Sequence, residues 1–458
     1  MRPPQLLLIN PWITDVAAYD LWAWPLGLLY WAARLRHVGY GVHLLDCTDR
    51  AHPALGKDTV PSRHYHTGKY HTEILEQQPH PVKHARRFLK RYGLPASAFQ
   101  TELETFEQKN GAPPDAILVS SRMTYWYSGV CEAIDLCKKQ WPQVPVALGG
   151  IYATLCHNHA RAHSGADVVL QGAARESLPA WLTAVISNAP EVPVSSPDEP
   201  PFWPAVDLCH AHGALPLLTS TGCPFQCSYC ASHLVSGEYN RRSPETVYAE
   251  FIQRQSTYQT TDFVFYDDAL LVDSEHFLEP FLDRVIEANL PVRFHTPNGM
   301  HYSLITEPLA QKMKRAGFTT LRLSLETLDA NQLQTWQRAG ETCLFHRAME
   351  SLRAAGFTRK QLGIYIMAGI PGQTVDAVQM AIDEVHVAGG QPFLNEYSPI
   401  PGTLEWQRAL ALSGYEIEEE PLWQNNSLYY TREEVFPLSV FEELKQRAHT
   451  IPLALSCK

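Results

Sequence analysis

Short apolar runs alternate with helical patterns along the first part of the chain. The apolar runs predict strands at residues 6–9, 41–45, 116–120, 145–148 and 167–170. Residues 26–35 have the apolar spacing of an amphipathic helix, and further helices are predicted from Val130 and from Glu176. Strands and helices that alternate in this way are typical of a doubly wound, Rossmann-like parallel sheet. We therefore predict an α/β domain over residues 1–189.

The alternation is lost between residues 48 and 114. This segment carries His64, His66, His71, His80 and His84 among proline, lysine and arginine residues. None of these histidines has the close paired spacing with cysteine or carboxylate residues that zinc sites use. We interpret the segment as an insertion with a solvated surface, and a metal site is the alternative.

A second alternation follows residues 190–213, which are rich in proline and acidic residues and which we interpret as a linker. Strands are predicted at residues 215–219, 262–266, 291–295, 320–325, 363–367 and 392–397. Helices are predicted at residues 244–255, 274–288, 307–316 and 375–388. This repeat predicts a partial (β/α)6 TIM-type barrel over residues 214–403, with its active site at the carboxyl ends of the strands. Residues 404–458 would form a short C-terminal extension.

Composition and charge narrow the class of protein. Of the 458 residues, 45% are hydrophobic and 19% are charged, as expected for a folded globular protein. The apolar run near the start is interrupted by Asn10 and Pro11, too early for a signal peptide or a membrane span. We expect a cytoplasmic protein without a membrane partner. The net charge of -11 disfavours nucleic acid as a partner.

Ten cysteines without a secretory signal are better interpreted as thiols than as a disulfide framework. Seven of them are scattered, and we interpret these as small buried hydrophobic residues. They are Cys47, Cys131, Cys137, Cys156, Cys209, Cys343 and Cys457.

The other three, Cys223, Cys227 and Cys230, have the spacing CxxxCxxC directly after the first predicted barrel strand. A short loop with three thiolates can bind three irons of a cubane 4Fe-4S cluster. The fourth iron is then available to the amino and carboxylate groups of S-adenosylmethionine (SAM). A zinc site is the alternative, but zinc normally takes four ligands and only His233 lies nearby.

This motif resembles that of the radical SAM superfamily, which usually has an aromatic residue before the third cysteine, here Tyr229. The resemblance extends over about residues 215–403. It implies that SAM is bound at the strand ends by Tyr229, Asn298, Ser324, Glu326, Gly369, Pro371 and Gly372. Glu326 would hold the amino group of SAM, and a salt bridge to Arg322 or Arg338 is the alternative. Asp267 and Asp268 resemble the paired acids of many relatives, or else cap a helix.

The N-terminal domain resembles the cobalamin-binding domain of the class B, cobalamin-dependent radical SAM methylases. The phrases PLGLLYWAARLRHVGYGVHLLD and VVLQGAARES carry this resemblance, together with residues at predicted strand ends. Those implied to contact cobalamin are Ser121, Gly149, Gly150 and Gly172, because glycines let the cofactor approach the backbone. The histidine-bearing DxHxxG loop of cobalamin mutases is absent after the first strand. The alternative is a degenerate domain that binds no cobalamin. Tyr125, Trp126 and Tyr127 would lie at the same sheet edge, either against a ligand or as an aromatic plug.

The resemblance implies a cobalamin-dependent radical SAM enzyme that transfers a methyl group to an unactivated carbon of a small or peptide substrate. Its cofactors would be a 4Fe-4S cluster, SAM and cobalamin, and its electron donor a flavodoxin or ferredoxin. Radical cyclisation, rearrangement or oxidoreduction is the alternative. A tRNA methylthiotransferase would need a second cysteine triplet and a basic RNA-binding domain, which the sequence does not show.

Overall fold

A computed structural model describes residues 2–56, 62–85, 87–193, 203–338, 340–429 and 435–450. The chain divides into two compact units. Unit 1 comprises Met1–Ala214 together with Glu419–Gln424, and unit 2 comprises Leu215–Glu418 and Asn425–Lys458. Among the helices described, none is both long and apolar enough to cross a membrane.

Unit 1 has the predicted alternation of strands and helices. Its strands are β1 (Gln5–Asn10), β2 (Ile13–Asp15), β3 (Gly41–Asp46), β4 (Thr72–Ile74), β5 (Lys90–Tyr92), β6 (Ala116–Val119), β7 (Val146–Leu148) and β8 (Val168–Val169). Its helices are α1 (Leu26–His37), α2 (His80–His84), α3 (Ala96–Asn110), α4 (Tyr127–Gln140), α5 (Ile151–Leu155), α6 (His157–His163) and α7 (Ser177–Val185).

Five parallel strands form the main sheet of unit 1, in the order β3-β1-β6-β7-β8. The chain passes from β1 to one edge at β3 and then returns to β6 on the other side of β1. The order of the strands therefore reverses between β1 and β6. In open α/β sheets, ligands bind at the carboxyl ends of the strands beside such a reversal.

The predicted insertion contains a core helix as well as surface structure. Helix α3 buries Phe99, Leu103 and Phe106 in the main core of unit 1. It forms the connection from β3 to β6, so the expectation of a solvated insertion is wrong for this helix. The rest of the segment includes the antiparallel sheet β2-β5-β4. In the described part of the chain, no histidine belongs to a group of three or more side chains that could hold a metal ion.

The structure groups the predicted linker with unit 1. Ala205 donates its backbone N-H to the carbonyl of Leu29 over 3.0 Å, and Asp207 forms an ion pair of 2.7 Å with Arg36. Residues 194–202 of this segment, like parts of the predicted insertion and C-terminal extension, lie outside the described residues.

The cysteines described are all free thiols, as predicted. Cys47 and Cys137 are buried, while Cys131, Cys156 and Cys209 are half-buried. Cys343 is exposed, so its prediction as a buried residue is wrong. Cys457 lies outside the described residues.

Unit 2 is built around the second alternation. Its strands are β9 (Ala214–Leu217), β10 (Ser220–Thr221), β11 (Asn240–Arg241), β12 (Asp262–Phe265), β13 (Arg293–His295), β14 (Phe318–Glu326), β15 (Leu362–Ala368) and β16 (Gln391–Glu396). Its helices are α8 (Ser232–Ser236), α9 (Pro244–Tyr258), α10 (Leu278–Ala288), α11 (Glu307–Ala316), α12 (Ala330–Thr335), α13 (Thr342–Ala354), α14 (Val375–Val387), α15 (Leu404–Leu412) and α16 (Leu438–His449).

Six of these strands form one sheet in sequence order, β9-β12-β13-β14-β15-β16, and the pairs from β12 to β16 are parallel. The six predicted barrel strands are therefore present, and the first and last lie at opposite edges, as in a partial barrel. Helices α12 and α13 between β14 and β15 were not predicted. The carboxyl ends of all the parallel strands meet at one edge, which is where the predicted site residues lie.

A buried ion triad fixes the first strand of this sheet. Glu250 in α9 is fully buried and forms ion pairs of 2.7 Å with both Arg242 and Arg254. Arg254 also donates to the carbonyl of Pro216, and Arg242 to that of Leu218. One carboxylate therefore orients the two guanidinium groups that bind the backbone next to the cysteine loop.

Replacing Glu250 with Ala should leave these two buried cations without their anion. Breaking a buried ion pair by removing one partner costs about 3–5 kcal/mol. We expect the free energy of unfolding of Glu250→Ala, measured by denaturant titration, to fall by about this amount. Glu245→Ala is the control, because Glu245 lies on the same helix but pairs with Arg284 at the exposed surface. An equal loss of stability in both variants would contradict the role assigned to the triad.

Candidate active site

The three cysteines of the CxxxCxxC motif lie in the loop between β10 and α8. Each is half-buried, and Cys230 donates its backbone N-H to the carbonyl of Cys227 over 3.0 Å. Burial raises the pKa of the Cys223 thiol to about 11 and also raises that of Cys230. A bound cation would offset this cost of the thiolate form.

The thiols do not form a group that could hold a single metal ion. A zinc site takes four ligands around one ion. In a cubane cluster each thiolate binds a different iron, so three thiolates leave one iron open. His233, the fourth candidate for zinc, is exposed on α8. The arrangement therefore fits a cluster better than zinc.

The loop is held by the two residues that follow the second cysteine. Ser228 donates its backbone N-H to the carbonyl of Trp336 over 2.8 Å and its hydroxyl to Glu405 over 2.8 Å. Glu405, fully buried at the start of α15, donates its own N-H to the carbonyl of Ser228. The ring of Tyr229 packs edge-on against Trp336 at 5.9 Å. These contacts fix the direction in which the cysteines project.

A cavity of about 440 Å³ lies at the carboxyl edge of the sheet of unit 2. The cysteines line it together with four of the predicted SAM residues, Tyr229, Asn298, Ser324 and Glu326. Further lining residues that were not predicted as contacts include Phe225, Asp268, His301, Arg338, Tyr365 and Asn395. The fold thus brings residues from five different strand ends to one space large enough for a small ligand.

Glu326 is the most constrained side chain of this cavity. It is 7% exposed, and its Oε2 atom is buried without a hydrogen-bond partner. Its φ of 67° lies in the left-handed region, next to a register shift in the pairing of β14 with β15. Backbone strain of this kind costs on the order of 1–3 kcal/mol and is concentrated at functional sites. The carboxyl group is therefore available to a ligand.

Arg338 lies beside Glu326. Burial raises the pKa of Glu326, and the nearby Arg338 opposes this rise. In the part of the chain that the structure describes, no direct ion pair joins the two, and Arg322 instead packs on Phe393. The alternative role for Glu326, a salt bridge to Arg322 or Arg338, is therefore not observed.

The paired acids have different roles. Asp267 accepts hydrogen bonds from the backbone and hydroxyl of Thr219 and from the hydroxyl of Ser220, so it fixes the exit of β9. Asp268 accepts from Ser232 and lines the cavity. Asn298 donates to the carbonyl of Tyr266 over 2.9 Å and thereby joins the loops after β12 and β13.

The three remaining predicted SAM residues form the turn after β15. Gly369 has a φ of 90° and Gly372 a φ of 87°, so both adopt backbone conformations that favour glycine. Pro371 is buried and Gly372 is exposed. None of the three is among the described residues that line the cavity. Their contact with SAM stays a prediction.

In unit 1, the predicted cobalamin residues lie at the carboxyl ends of β6, β7 and β8. Ser121 donates its hydroxyl to the carbonyl of Gly149 over 2.7 Å and accepts from the N-H of Ala153. A Cβ atom on Gly150 would lie 2.2 Å from the carbonyl oxygen of Ser121, so the protein itself requires this glycine. A Cβ on Gly149 or Gly172 would meet open space. Those two positions leave room for a ligand to approach the backbone.

The aromatic triplet at this edge is bound to the protein. Tyr125 is buried, Trp126 donates to Asp15 over 2.6 Å, and Tyr127 donates to Glu420 over 2.9 Å. Glu420 belongs to the Glu419–Gln424 segment of unit 1. These partners account for the three side chains without a stacked ligand.

Sequence reasoning missed Arg338 as a ligand-facing residue, and it also missed Trp336 and His301. The basic residue twelve positions after Glu326 was considered only as its ion-pair partner. Helix α12 returns the chain to the cysteine loop and so brings Arg338 to Cys227. The ring of His301 stacks on Phe225 at 4.9 Å, a contact between two loops that no local pattern indicates.

The fold and the cysteine loop have the features expected of an iron-sulfur, SAM-cleaving (β/α) enzyme. Residues 217–396 match the model of the Radical SAM superfamily. Unit 2 therefore contains a Radical SAM domain, in agreement with the predicted superfamily.

Curated relatives extend the similarity to unit 1. The chain is 23% identical over 490 residues to the cytidylyl-2-hydroxyethylphosphonate methyltransferase of Streptomyces wedmorensis, covering 92% of this chain and 84% of the relative. It is 26% identical over 235 residues to an uncharacterised methyltransferase of Pyrococcus horikoshii, covering 50% of this chain and 48% of the relative.

Solved structures with both domains share the fold. The radical SAM methyltransferase TsrM from Kitasatospora setae, solved with cobalamin and a 4Fe-4S cluster, aligns with a TM-score of 0.63 at 15% identity and covers 90% of this chain and 79% of its own. The cobalamin-dependent radical SAM enzyme OxsB, solved with aqua-cobalamin and SAM, aligns with a TM-score of 0.60 at 12% identity, covering 91% of this chain and 56% of its own. The predicted fold class, a Rossmann-like domain before a radical SAM domain, is confirmed.

The two glycines after β7 give different expectations for cobalamin binding. Gly149→Val places a side chain in open space, so it should preserve folding and reduce cobalamin binding at least tenfold. Gly150→Val should instead destabilise the loop, since its Cβ meets the backbone of Ser121. Binding is measured by the absorbance of retained cobalamin and folding by thermal unfolding.

Gly414→Val serves as the control, because a Cβ there also meets open space but lies in unit 2. Unchanged cobalamin binding in a folded Gly149→Val protein would remove this edge of the sheet from the cobalamin site.

Proposed function

We propose that this enzyme transfers a methyl group from SAM to an unactivated carbon of a small or peptide substrate, with cobalamin as its second cofactor. The observation that carries this proposal is the cavity of unit 2, where three half-buried thiols face a buried carboxyl oxygen without a partner. The carboxyl edge of the sheet in the Rossmann-like unit would hold the second cofactor. When bound, the cluster provides the electron that cleaves SAM, and cobalamin provides methyl-group chemistry.

Cys223, Cys227 and Cys230 would hold the 4Fe-4S cluster. The three free thiols of the loop and the hydrogen-bonded backbone around Ser228 fit this group. Since the loop supplies only three thiolates, one iron would be left for the amino and carboxylate groups of SAM.

Glu326 would accept a hydrogen bond from the amino group of SAM through Oε2. Its burial favours a cationic partner, because the raised pKa of the carboxyl group is lowered again when an ammonium group binds. Tyr229, Asn298 and Ser324 line the same cavity and would surround the rest of the cosubstrate. Gly369, Pro371 and Gly372 would contact adenine through the backbone turn after β15.

Ser121, Gly149, Gly150 and Gly172 would hold cobalamin at the edge of unit 1. The open space at Gly149 and Gly172 and the reversal of strand order beside β6 fit a large cofactor that approaches the backbone. Gly150 would act by keeping Ser121 close to the end of β7.

Radical SAM enzymes need a reductant and act on small substrates, and TsrM was solved with tryptophan. We propose a flavodoxin or ferredoxin as the reductant of this enzyme. The charges of the cavity, from Asp268, Glu326 and Arg338, favour a polar substrate next to the cosubstrate.

The function is tested on anaerobically reconstituted protein with SAM and a reductant, in the presence and absence of cobalamin. We expect 5'-deoxyadenosine in both cases and S-adenosylhomocysteine only with cobalamin. Alanine at Cys223, Cys227 or Cys230 should abolish the cluster and 5'-deoxyadenosine, whereas Cys343→Ala, at an exposed thiol of the same unit, should retain both.

Formation of 5'-deoxyadenosine without S-adenosylhomocysteine would favour cyclisation, rearrangement or oxidoreduction over methyl transfer. A cluster retained in all three cysteine variants would contradict the ligand assignment.

Replacing Glu326 with Gln should weaken SAM binding by at least tenfold. A charge-assisted hydrogen bond contributes roughly 1.5–3 kcal/mol, and about 1.4 kcal/mol corresponds to a factor of ten in affinity. The measurement is the Kd of SAM for the cluster-loaded protein, with iron content determined in parallel. Glu275→Gln, at an exposed position of unit 2, is the control. An unchanged Kd for Glu326→Gln would exclude this contact.

A further inference from the structure

We propose that Arg338 is a positioning residue for the cluster: it holds the sulfur of Cys227 and raises the reduction potential of the 4Fe-4S cluster. This inference rests on the proposed function of the cysteine loop. It concerns a residue outside the cysteine motif and outside the predicted SAM contacts.

The guanidinium group of Arg338 is in contact with the loop and with β14. Its Nη1 atom donates to Cys227 Sγ over 3.8 Å and to Tyr229 Oη over 3.2 Å. Its Nη2 atom donates to Ser324 Oγ over 2.8 Å and also to the carbonyl of Ser324. One side chain therefore joins the second cysteine to the strand that carries Glu326.

A backbone hydrogen bond fixes the position of Arg338. It donates its N-H to the carbonyl of Leu333 over 2.9 Å, which ties it to α12. Two residues earlier, Trp336 accepts from the N-H of Ser228 and packs against Tyr229. The segment Trp336–Arg338, which we call the loop brace, thus contacts three successive residues of the cluster loop, Cys227, Ser228 and Tyr229.

Arg338 is positively charged although its side chain is buried. The residue is 8% exposed, and a guanidinium group keeps its proton in proteins even where it is buried. No carboxylate pairs directly with its guanidinium in the part of the chain described. Its positive charge therefore acts on the sulfur of Cys227, with which Nη1 is in contact, and solvent screening is weak at this buried position.

A cation near a cluster stabilises its reduced form. One-electron reduction by the electron donor adds one negative charge to the cluster, while the donor loses one electron. Hydrogen bonds to the cluster sulfurs, net charge and solvent exposure set such potentials. Arg338 supplies a hydrogen bond and a positive charge, so its removal should shift the equilibrium toward the oxidised cluster.

The experiment is a redox titration of the reconstituted full-length protein without SAM, followed by EPR, in Arg338→Gln and Arg338→Lys variants. We expect Arg338→Gln to favour the oxidised form by at least tenfold, a midpoint potential lower by about 59 mV for one electron. Arg338→Lys keeps the charge and should recover most of this shift. Arg284→Gln, which removes an exposed charge from the same unit, should leave the potential unchanged.

Iron content and thermal unfolding are measured for every variant. A fully loaded Arg338→Gln protein with the wild-type potential would overturn the proposal, and so would an equal shift in Arg338→Gln and Arg338→Lys. Loss of iron in Arg338→Gln together with normal loading and potential in Arg338→Lys would support it, because positive charge then restores the site. If the wild-type protein binds no cluster, the proposed function is wrong. If the wild-type protein binds a cluster and the Arg338 variants have the same potential as the wild type, only this inference is wrong.

Discussion

The buried carboxylate of Asp267 is the constraint on which the active site depends. It accepts hydrogen bonds from Thr219 and Ser220, so the end of β12 determines how the chain leaves β9. Cys223 follows three residues after Ser220. Gly222 permits the sharp exit, since its φ is 72° and a Cβ would meet the carbonyl of Glu238 at 2.7 Å. The position of the cysteines thus follows from a polar group buried under them.

The same edge concentrates charges that are costly to bury alone. Glu326 and Arg338 are both nearly inaccessible to solvent, yet neither is neutralised by a direct ion pair with the other in the described chain. Unpaired charges in a low-dielectric cavity favour ligands that carry complementary groups. An amino acid end group such as that of SAM carries both an ammonium and a carboxylate. The cavity is therefore better suited to a zwitterion than to an apolar ligand.

At the carboxyl edge of the sheet of unit 1, small residues leave space for a ligand. Parallel strands end at one edge, and the residues there are small or have their side chains bound by the protein. Ser121 is engaged with Gly149 and Ala153, while Gly149 and Gly172 leave open space. At such an edge a ligand can lie close to the backbone and is selected by its shape. A large cofactor that makes many weak contacts fits this kind of site.

The sequence by itself determined the order along the chain of the strands in the two main parallel sheets, because apolar periodicity is a local property of strands. It also indicated the candidate cluster ligands, since the spacing of Cys223, Cys227 and Cys230 would let three thiolates reach one cofactor, and it placed Glu326 at the end of β14. Helix α3, whose buried Phe99, Leu103 and Phe106 have helical spacing, was included in the predicted insertion together with the histidine-rich stretch before it. Only the tertiary structure decided that Arg338 contacts Cys227, that Asp267 and Asp268 differ in role, and that Gly150 is required by Ser121. Each of these depends on contacts between residues distant in the chain, which the folded arrangement of loops alone brings within hydrogen-bond distance.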